Sequence, residues 1–344
     1  DGCLHLNWLA STHHHDRGTM ADFSLRYMAA LHALLTEEAT APPVPQATNT
    51  ADTAPDTHLL IPLTRGGEEQ PPVVAPHPVT GHVNGYAALA RCLTGERRLL
   101  GIQARVWRDG TSFDTSLGAM AERYTATLRQ TQPHGPYTLV GWSLGGTLAL
   151  EMAARLESLG ETVAFLGLID PYVPGFEVAA DQWPAPAART AFTAQLHAIL
   201  PDLDANAAED LAARLPAETP SDWSGRLNTW LRRHTASDGD AEAVRELVLA
   251  WAVDQHHRRL CDGYTLPEAA TPVHAWWAEG GDTPARRNRL AVQVPVAHSR
   301  TVATDHLSIV RHESVLDELT GYLRAGSPHT AARQHDTVIA RTSS

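Results

Sequence analysis

The chain has 344 residues, enough for one large domain with an extra segment or for two modest ones, and 43% of them are hydrophobic, so a sizeable core can be buried. Its formal net charge is −12, which argues against nucleic acid as the main partner, because phosphate binding needs a basic footprint. Cys3, Cys92 and Cys261 stand far apart, without CxxC or metal spacing, and no secretory signal pattern opens the chain; a disulfide framework and a membrane span are not expected, and a reducing cytoplasm is.

The chain opens at Asp1 in the middle of structure and reads as a piece of a larger protein. Residues 1–38 carry a strand-like start and then a helix, with Phe23, Leu25, Met28, Leu31, Leu34 and Leu35 at helical spacing. Residues 39–57, rich in Pro, Thr, Ala and Asp, read as a linker. From His58 strands and helices alternate. Strands are expected at 58–63, 73–77, 99–103, 137–142, 163–170, 273–278 and 295–302, and helices at 85–93, 117–131, 144–159 and 313–324. Alternation of this kind implies an α/β fold, a mostly parallel sheet covered by helices on both faces. Residues 176–265 interrupt it with apolar helical faces that include Leu196, Leu211, Leu227 and Trp230. Such an insertion between strands reads as a large helical lid, or more blandly as helical decoration. The polar end, 326–344, reads as a disordered tail.

Gly141-Trp142-Ser143-Leu144-Gly145 fits G-x-S-x-G, with a strand-like run before it and an amphipathic helix after it. In that context the pattern marks a nucleophile elbow, in which a Ser sits on a strained strand-to-helix turn and small neighbours let the turn close. A serine hydroxyl needs a base, and the base needs an orienting carboxylate, in the order Ser, acid, His. Asp170 ends the next strand and is the first choice of acid; Glu279 and Asp282, after the following strand, are rivals. His306, after the last strand and before the final helix, is the base; His298 and His312 are weaker candidates among the 19 His. An oxyanion hole needs two backbone amides, here assigned to Leu144 and to Val79, in the loop after the first core strand. No metal and no cofactor are expected in this chain.

From about His58 to Arg324 the chain resembles the type I thioesterase domains that terminate non-ribosomal peptide synthetases. The resemblance rests on PHPVTGHVNGYAALARCL, on QPHGPYTLVGWSLGGTLALEMAARLESLGETVAFLGLIDPYVP and on ATDHLSIVRHESV, in that order. It implies the α/β-hydrolase fold, a triad of Ser143, His306 and Asp170, oxyanion amides at Val79 and Leu144, and a helical lid. The Ser-to-His spacing of 163 is long for the family and implies a large lid. Residues 1–38 resemble the end of a condensation-like domain, of the epimerisation or glycopeptide-type X kind. HHHDRG departs from the HHxxxDG motif of condensation domains, so no chemistry is assigned to it, and no carrier-protein motif is found.

The implied reaction is release of a peptidyl chain from the phosphopantetheine thioester of a peptidyl carrier protein, through an acyl-O-Ser143 intermediate. Hydrolysis to a linear peptide acid, side-chain-crosslinked in a glycopeptide-type system, is the favoured outcome. Macrocyclising release, a stand-alone serine esterase and a catalytically silent module are the alternatives. A monomer is expected, partnered by the carrier protein and other synthetase domains, with no nucleic acid and no membrane.

Overall fold

The computed structural model describes residues 55–67, 69–174, 186–214, 220–235, 237–280 and 283–325. The condensation-like segment 1–38, nearly all of the 39–57 linker and the 326–344 tail lie outside them.

Among the described residues seven strands form one sheet: β1 (Leu60–Pro62), β2 (Val73–Pro76), β3 (Leu99–Ile102), β4 (Tyr137–Trp142), β5 (Val163–Ile169), β6 (Val273–Ala278) and β7 (Val296–Val302). Their order is β1-β3-β2-β4-β5-β6-β7. Edge strand β1 pairs antiparallel with β3, and every other pairing is parallel. The central strands are buried on both faces and alternate between two cores with the period of two that a pleat imposes. Tyr137 and Leu139 of β4 and Leu166 and Leu168 of β5 join one core; Val140, Phe165 and Ile169 join the other.

The first core is roofed by α3 (Leu117–Thr131) and α4 (Leu144–Ser158), through Met120, Tyr124, Leu148 and Met152. The second is covered by α1 (Ala87–Leu93) and α10 (Glu313–Ala325), through Leu89, Leu93, Leu316 and Leu319. A short α2 (Val106–Asp109) follows β3. The start of α3 is set by Ser116, whose hydroxyl accepts from the Ala119 amide at 3.0 Å.

Between β5 and β6 the chain leaves the sheet, and among the described residues there it forms four helices: α5 (Pro186–Ile199), α6 (Ala205–Arg214), α7 (Pro220–His234) and α8 (Asp238–Leu260). This insertion falls within the span where a helical interruption is expected and has its own core, with Phe192, Leu196, Leu211, Leu231, Val244, Val248 and Trp251.

The structure departs from the sequence reading at the short α2 and at two larger features. Helix α9 (Thr283–Gln293) was not expected. Its sequence, TPARRNRLAVQ, has too few large apolar residues to show a face, and Leu290, 1% exposed, docks it. The chain is also already in place before His58, because the Asp56 amide donates to Thr127 Oγ1 at 2.9 Å and the Asp56 carboxylate pairs with Arg108 at 2.6 Å. Among the described residues no helix is long and apolar enough to cross a membrane.

Candidate active site

Parallel strands deliver their C-terminal ends to one edge of the sheet, and each expected site residue stands just past such an end. Ser143 follows β4 and opens α4; Asp170 follows β5; His77 to Gly81 follow β2; His306 lies in the loop after β7. The pairing Trp142↔Ile169 carries β4 and β5 to the edge in step, and the Ser143 amide donates to the Ile169 carbonyl at 3.0 Å.

Ser143 has φ 57° and ψ −129°. With Asp170, at φ 40°, it is one of two non-glycine residues at positive φ among the described residues. L-residues reach that region at a cost of order 1–3 kcal/mol and hold it only where surrounding structure fixes it. Here the fixing is dense. The Asp170 amide donates to the Trp276 carbonyl at 2.6 Å, and the Ser143 carbonyl accepts from the amides of Gly146, at 2.9 Å, and Tyr172, at 3.1 Å. The turn closes only because its neighbours lack a Cβ. One added at Gly141 would lie 2.1 Å from the Gly145 carbonyl oxygen, and one at Gly145 would lie 2.3 Å from that of Pro76.

The three polar side chains meet. His306 Nδ1 and Asp170 Oδ2 are 2.6 Å apart, and His306 Nε2 and Ser143 Oγ are 2.9 Å apart. A carboxylate only accepts, so Nδ1 carries the proton and Nε2 is left to accept from the serine hydroxyl. The Asp170 side chain is 1% exposed, whereas that of His306 is 45% exposed. The second carboxylate oxygen of Asp170 accepts from Arg286 Nη2 at 2.6 Å, and the same guanidinium nitrogen donates to the Pro171 carbonyl at 3.1 Å. Arg286, on α9, lies over the Trp277 ring, 5.3 Å from its centroid.

The His306 loop is held from both sides. Trp142 Nε1 donates to the His306 carbonyl at 3.0 Å. Asp305 Oδ1 accepts from the amides of Leu307 and Ser308, at 2.8 and 2.9 Å, and hydrogen bonds from Ser308 hold the Asp305 carboxyl below the usual carboxylate range. The rival residues stand elsewhere. Glu279 is exposed at the end of β6, His298 faces Glu318 at 3.4 Å, and His312 Nδ1 bonds Ser314 Oγ at 3.1 Å. Asp282 lies outside the described residues.

The two amides expected to hold an oxyanion belong to different elements. Leu144 is the first residue of α4, where an amide has no intrahelical acceptor and the helix dipole is positive. Val79 lies in a loop anchored at almost every carbonyl. Tyr86 Oη donates to the Pro76 carbonyl at 2.6 Å, His77 Nδ1 to Pro78 at 2.7 Å, His257 Nδ1 to Val79 at 2.7 Å, and Trp107 Nε1 to Thr80 at 3.0 Å. Burial pushes the His77 imidazole down to about 4 and that of His257 well below its ordinary value, so both rings are neutral at pH 7. Sequence reading missed Arg286, His77 and His257. His77, which follows β2 directly, was the one with a visible signal. Among the described residues no group of three or more His, Cys, Asp or Glu is arranged to hold a metal ion.

Residues 71–217 match a family model described as the thioesterase domain. Enterobactin synthase component F of Escherichia coli (strain K12) is 33% identical over 220 residues, which is 63% of this chain and 15% of the relative. The type II thioesterase BorB from the borrelidin biosynthetic cluster superposes with a TM-score of 0.53 at 18% identity, over 79% of this chain and 99% of that one. A four-domain nonribosomal peptide synthetase bound to AMP and glycine superposes with a TM-score of 0.51 at 23% identity, over 78% of this chain and 20% of that one. The chain spans about 10 to 15% of the length of the curated relatives it matches. Family match and fold agree: residues 71–217 are similar to the thioesterase domain, and the described residues take the α/β-hydrolase fold.

Proposed function

We propose that this domain releases a peptidyl chain held as a thioester on the phosphopantetheine arm of a peptidyl carrier protein, with Ser143, His306 and Asp170 as its catalytic triad. The observation that carries the reading is the continuous hydrogen-bonded line from Asp170 through His306 to Ser143, on an elbow whose serine is held at positive φ. The carrier-bound substrate is supported by the synthetase relatives, in which the matching segment is a small part of a long chain.

The substrate enters beneath α5 to α8, read as a lid. His306 Nε2 takes the proton of Ser143 Oγ as the oxygen attacks the thioester carbonyl. The amides of Val79 and Leu144 receive the developing oxyanion, with no reorganisation needed at the moment of reaction. The tetrahedral intermediate collapses, the C–S bond breaks, and the imidazolium returns its proton to the departing thiolate. A peptidyl-O-Ser143 ester remains. His306 then deprotonates water, which attacks the ester and frees a linear peptide acid and the serine hydroxyl. Asp170 keeps the Nδ1 proton in place and stabilises the imidazolium in both halves. The chain's own residues suffice for each step, so no cofactor is assigned to it. The domain works as a monomer beside the other domains of a cytoplasmic synthetase. Water is the preferred acceptor because residues 1–38 resemble the end of a condensation-like domain, of the epimerisation or glycopeptide-type X kind, and in a glycopeptide-type system release leaves a linear product.

A fluorophosphonate probe tests the triad. Mass spectrometry is expected to find one adduct, on Ser143, absent in Ser143→Ala; a folded wild-type protein that takes up no probe would remove the enzyme reading. Peptidyl thioesters of varied sequence then distinguish the acceptor. A free acid supports hydrolysis, a ring supports an internal nucleophile, and faster turnover of simple esters than of thioesters supports a general esterase.

A further inference from the structure

The loop bearing Val79 is fastened by a feature that the triad does not use. His77, at the end of β2, and His257, near the end of α8, lie face to face with ring centroids 4.9 Å apart and planes 16° apart. Both are buried, at 0% and 2% exposure. Each donates through Nδ1, at 2.7 Å, to one of two successive carbonyls, His77 to Pro78 and His257 to Val79. The remaining His77 nitrogen, Nε2, accepts from the Tyr124 hydroxyl at 2.7 Å. Stacked imidazoles in a dry site are tolerable only when uncharged, and a neutral ring with its proton on Nδ1 is what a carbonyl partner requires.

These two bonds act on the two peptide planes that meet at the Val79 Cα. The Pro78–Val79 peptide is trans, so its N–H points opposite to its C=O. Pinning the Pro78 carbonyl between His77 Nδ1 and the Gly81 amide, the latter at 2.9 Å, therefore fixes where the Val79 N–H aims. Pinning the Val79 carbonyl by His257 fixes the next plane, so rotation about the Val79 Cα can swing neither. One pin comes from the core sheet. The other comes from the helical insertion, because the first turns of α8 pack into the insertion's own core through Val244 and Val248.

We propose that His77 and His257 are positioning residues that aim the Val79 amide at the oxyanion, so that seating of the insertion helix α8 completes the oxyanion hole. This rests on the reading of Val79 as an oxyanion donor. The aim matters because an amide displaced by about 1 Å loses up to a hundredfold in rate, comparable to removing an oxyanion donor altogether.

The test compares His257→Phe, which keeps a flat ring and loses the donor, with His257→Asn, whose side-chain amide nitrogen takes the place of Nδ1. Both are made in the full chain. They are assayed with a dipeptidyl N-acetylcysteamine thioester, with phenylboronic acid as a tetrahedral anionic adduct, and by hydrogen exchange of the amides of His77 and of Val79, Thr80 and Gly81. His257→Phe is expected to lower kcat about 30-fold and to weaken phenylboronic acid by a similar factor. KM should stay within about twofold, since the lost aim affects the tetrahedral state rather than substrate binding. Amide exchange in the loop should quicken. His257→Asn should recover kcat to within about threefold of wild type and restore slow exchange. Equal behaviour of the two variants, or wild-type kcat and exchange in folded His257→Phe, overturns the proposal. If His257→Phe does not fold, His257→Gln, whose donor lies where Nε2 was, takes its place against Asn with the same expected contrast. Wild-type protein that takes no fluorophosphonate on Ser143 removes the triad reading alone; the clamp is then decided by exchange, where Asn must protect the loop and Phe or Gln must not.

Discussion

Asp170 is 1% exposed and carries two partners, His306 on one oxygen and Arg286 on the other. While His306 is neutral, Arg286 is the cation that compensates a buried carboxylate. Two consequences can be separated by substitution. Asp170→Asn keeps the shape and reverses the hydrogen-bond polarity toward Nδ1, so kcat should fall by about 10⁴ while the fold survives. Glu279→Gln, at the exposed rival position, should leave kcat within about twofold of wild type. A large loss from the Glu279 variant with little from the Asp170 variant would move the triad acid. Arg286→Met instead strands the buried carboxylate, and about 3 kcal/mol of stability should disappear in urea unfolding. A variant as stable as wild type would show that the Arg286 pair contributes little.

At the scale of elements, the strand–turn–helix unit β4–α4 is where packing is least forgiving. Gly145 lies against the strand-end loop, where an added Cβ would come within 2.3 Å of the Pro76 oxygen, 2.7 Å of Tyr86 Oη and 3.0 Å of the His77 oxygen. Gly145→Ala should therefore cost at least about 3 kcal/mol and displace the Val79 loop, removing activity from whatever remains folded. Gly239, in the first turn of α8, meets nothing nearer than Ser237 Oγ at 3.8 Å. Gly239→Ala should stabilise by about 0.5 kcal/mol, read as a higher urea midpoint; a loss comparable to the Gly145 variant would refute the steric account. The same contrast explains what was legible in the sequence. The unit β4–α4–β5 was readable because local pattern and tertiary role coincide: an apolar run, a Gly-Ser-Gly turn, an amphipathic helix, then Asp at a strand end. Helix α9 was not, because its seat depends on Leu290 and on a guanidinium reaching Asp170 across 116 residues. The pairing of His77 with His257, 180 residues apart, leaves no periodic trace in a chain holding 19 His.

Across the whole molecule, two cores sandwich the sheet and a third belongs to the insertion. The insertion meets the sheet domain through a small cluster of Ala104, Val106 and Val253 and through the stacked histidines. This junction gives the fold a pH dependence with a defined sign. Unfolded, His77 takes a proton near pH 6.5; folded, burial above all holds its imidazole down to about 4, against a weaker opposing effect of its bond to Pro78. His257, stacked on it, is shifted the same way, and His82 adds a like charge when protonated. Between these values the unfolded chain binds more protons than the folded one, so stability is full above pH 6.5 and declines as the pH falls toward 4. His77 alone should account for a loss of order 2–3 kcal/mol by pH 4.5, a large fraction of the stability of an ordinary domain. Carboxylates protonating below about pH 4 add their losses later, which leaves the window from 6.5 to 4.5 to the histidines. Urea unfolding at pH 7.5, 6.0 and 4.5 reads this directly: the wild-type midpoint should fall steeply, while His77→Asn should start lower and decline less. Parallel declines in the two proteins would mean that the acid sensitivity originates elsewhere than in His77.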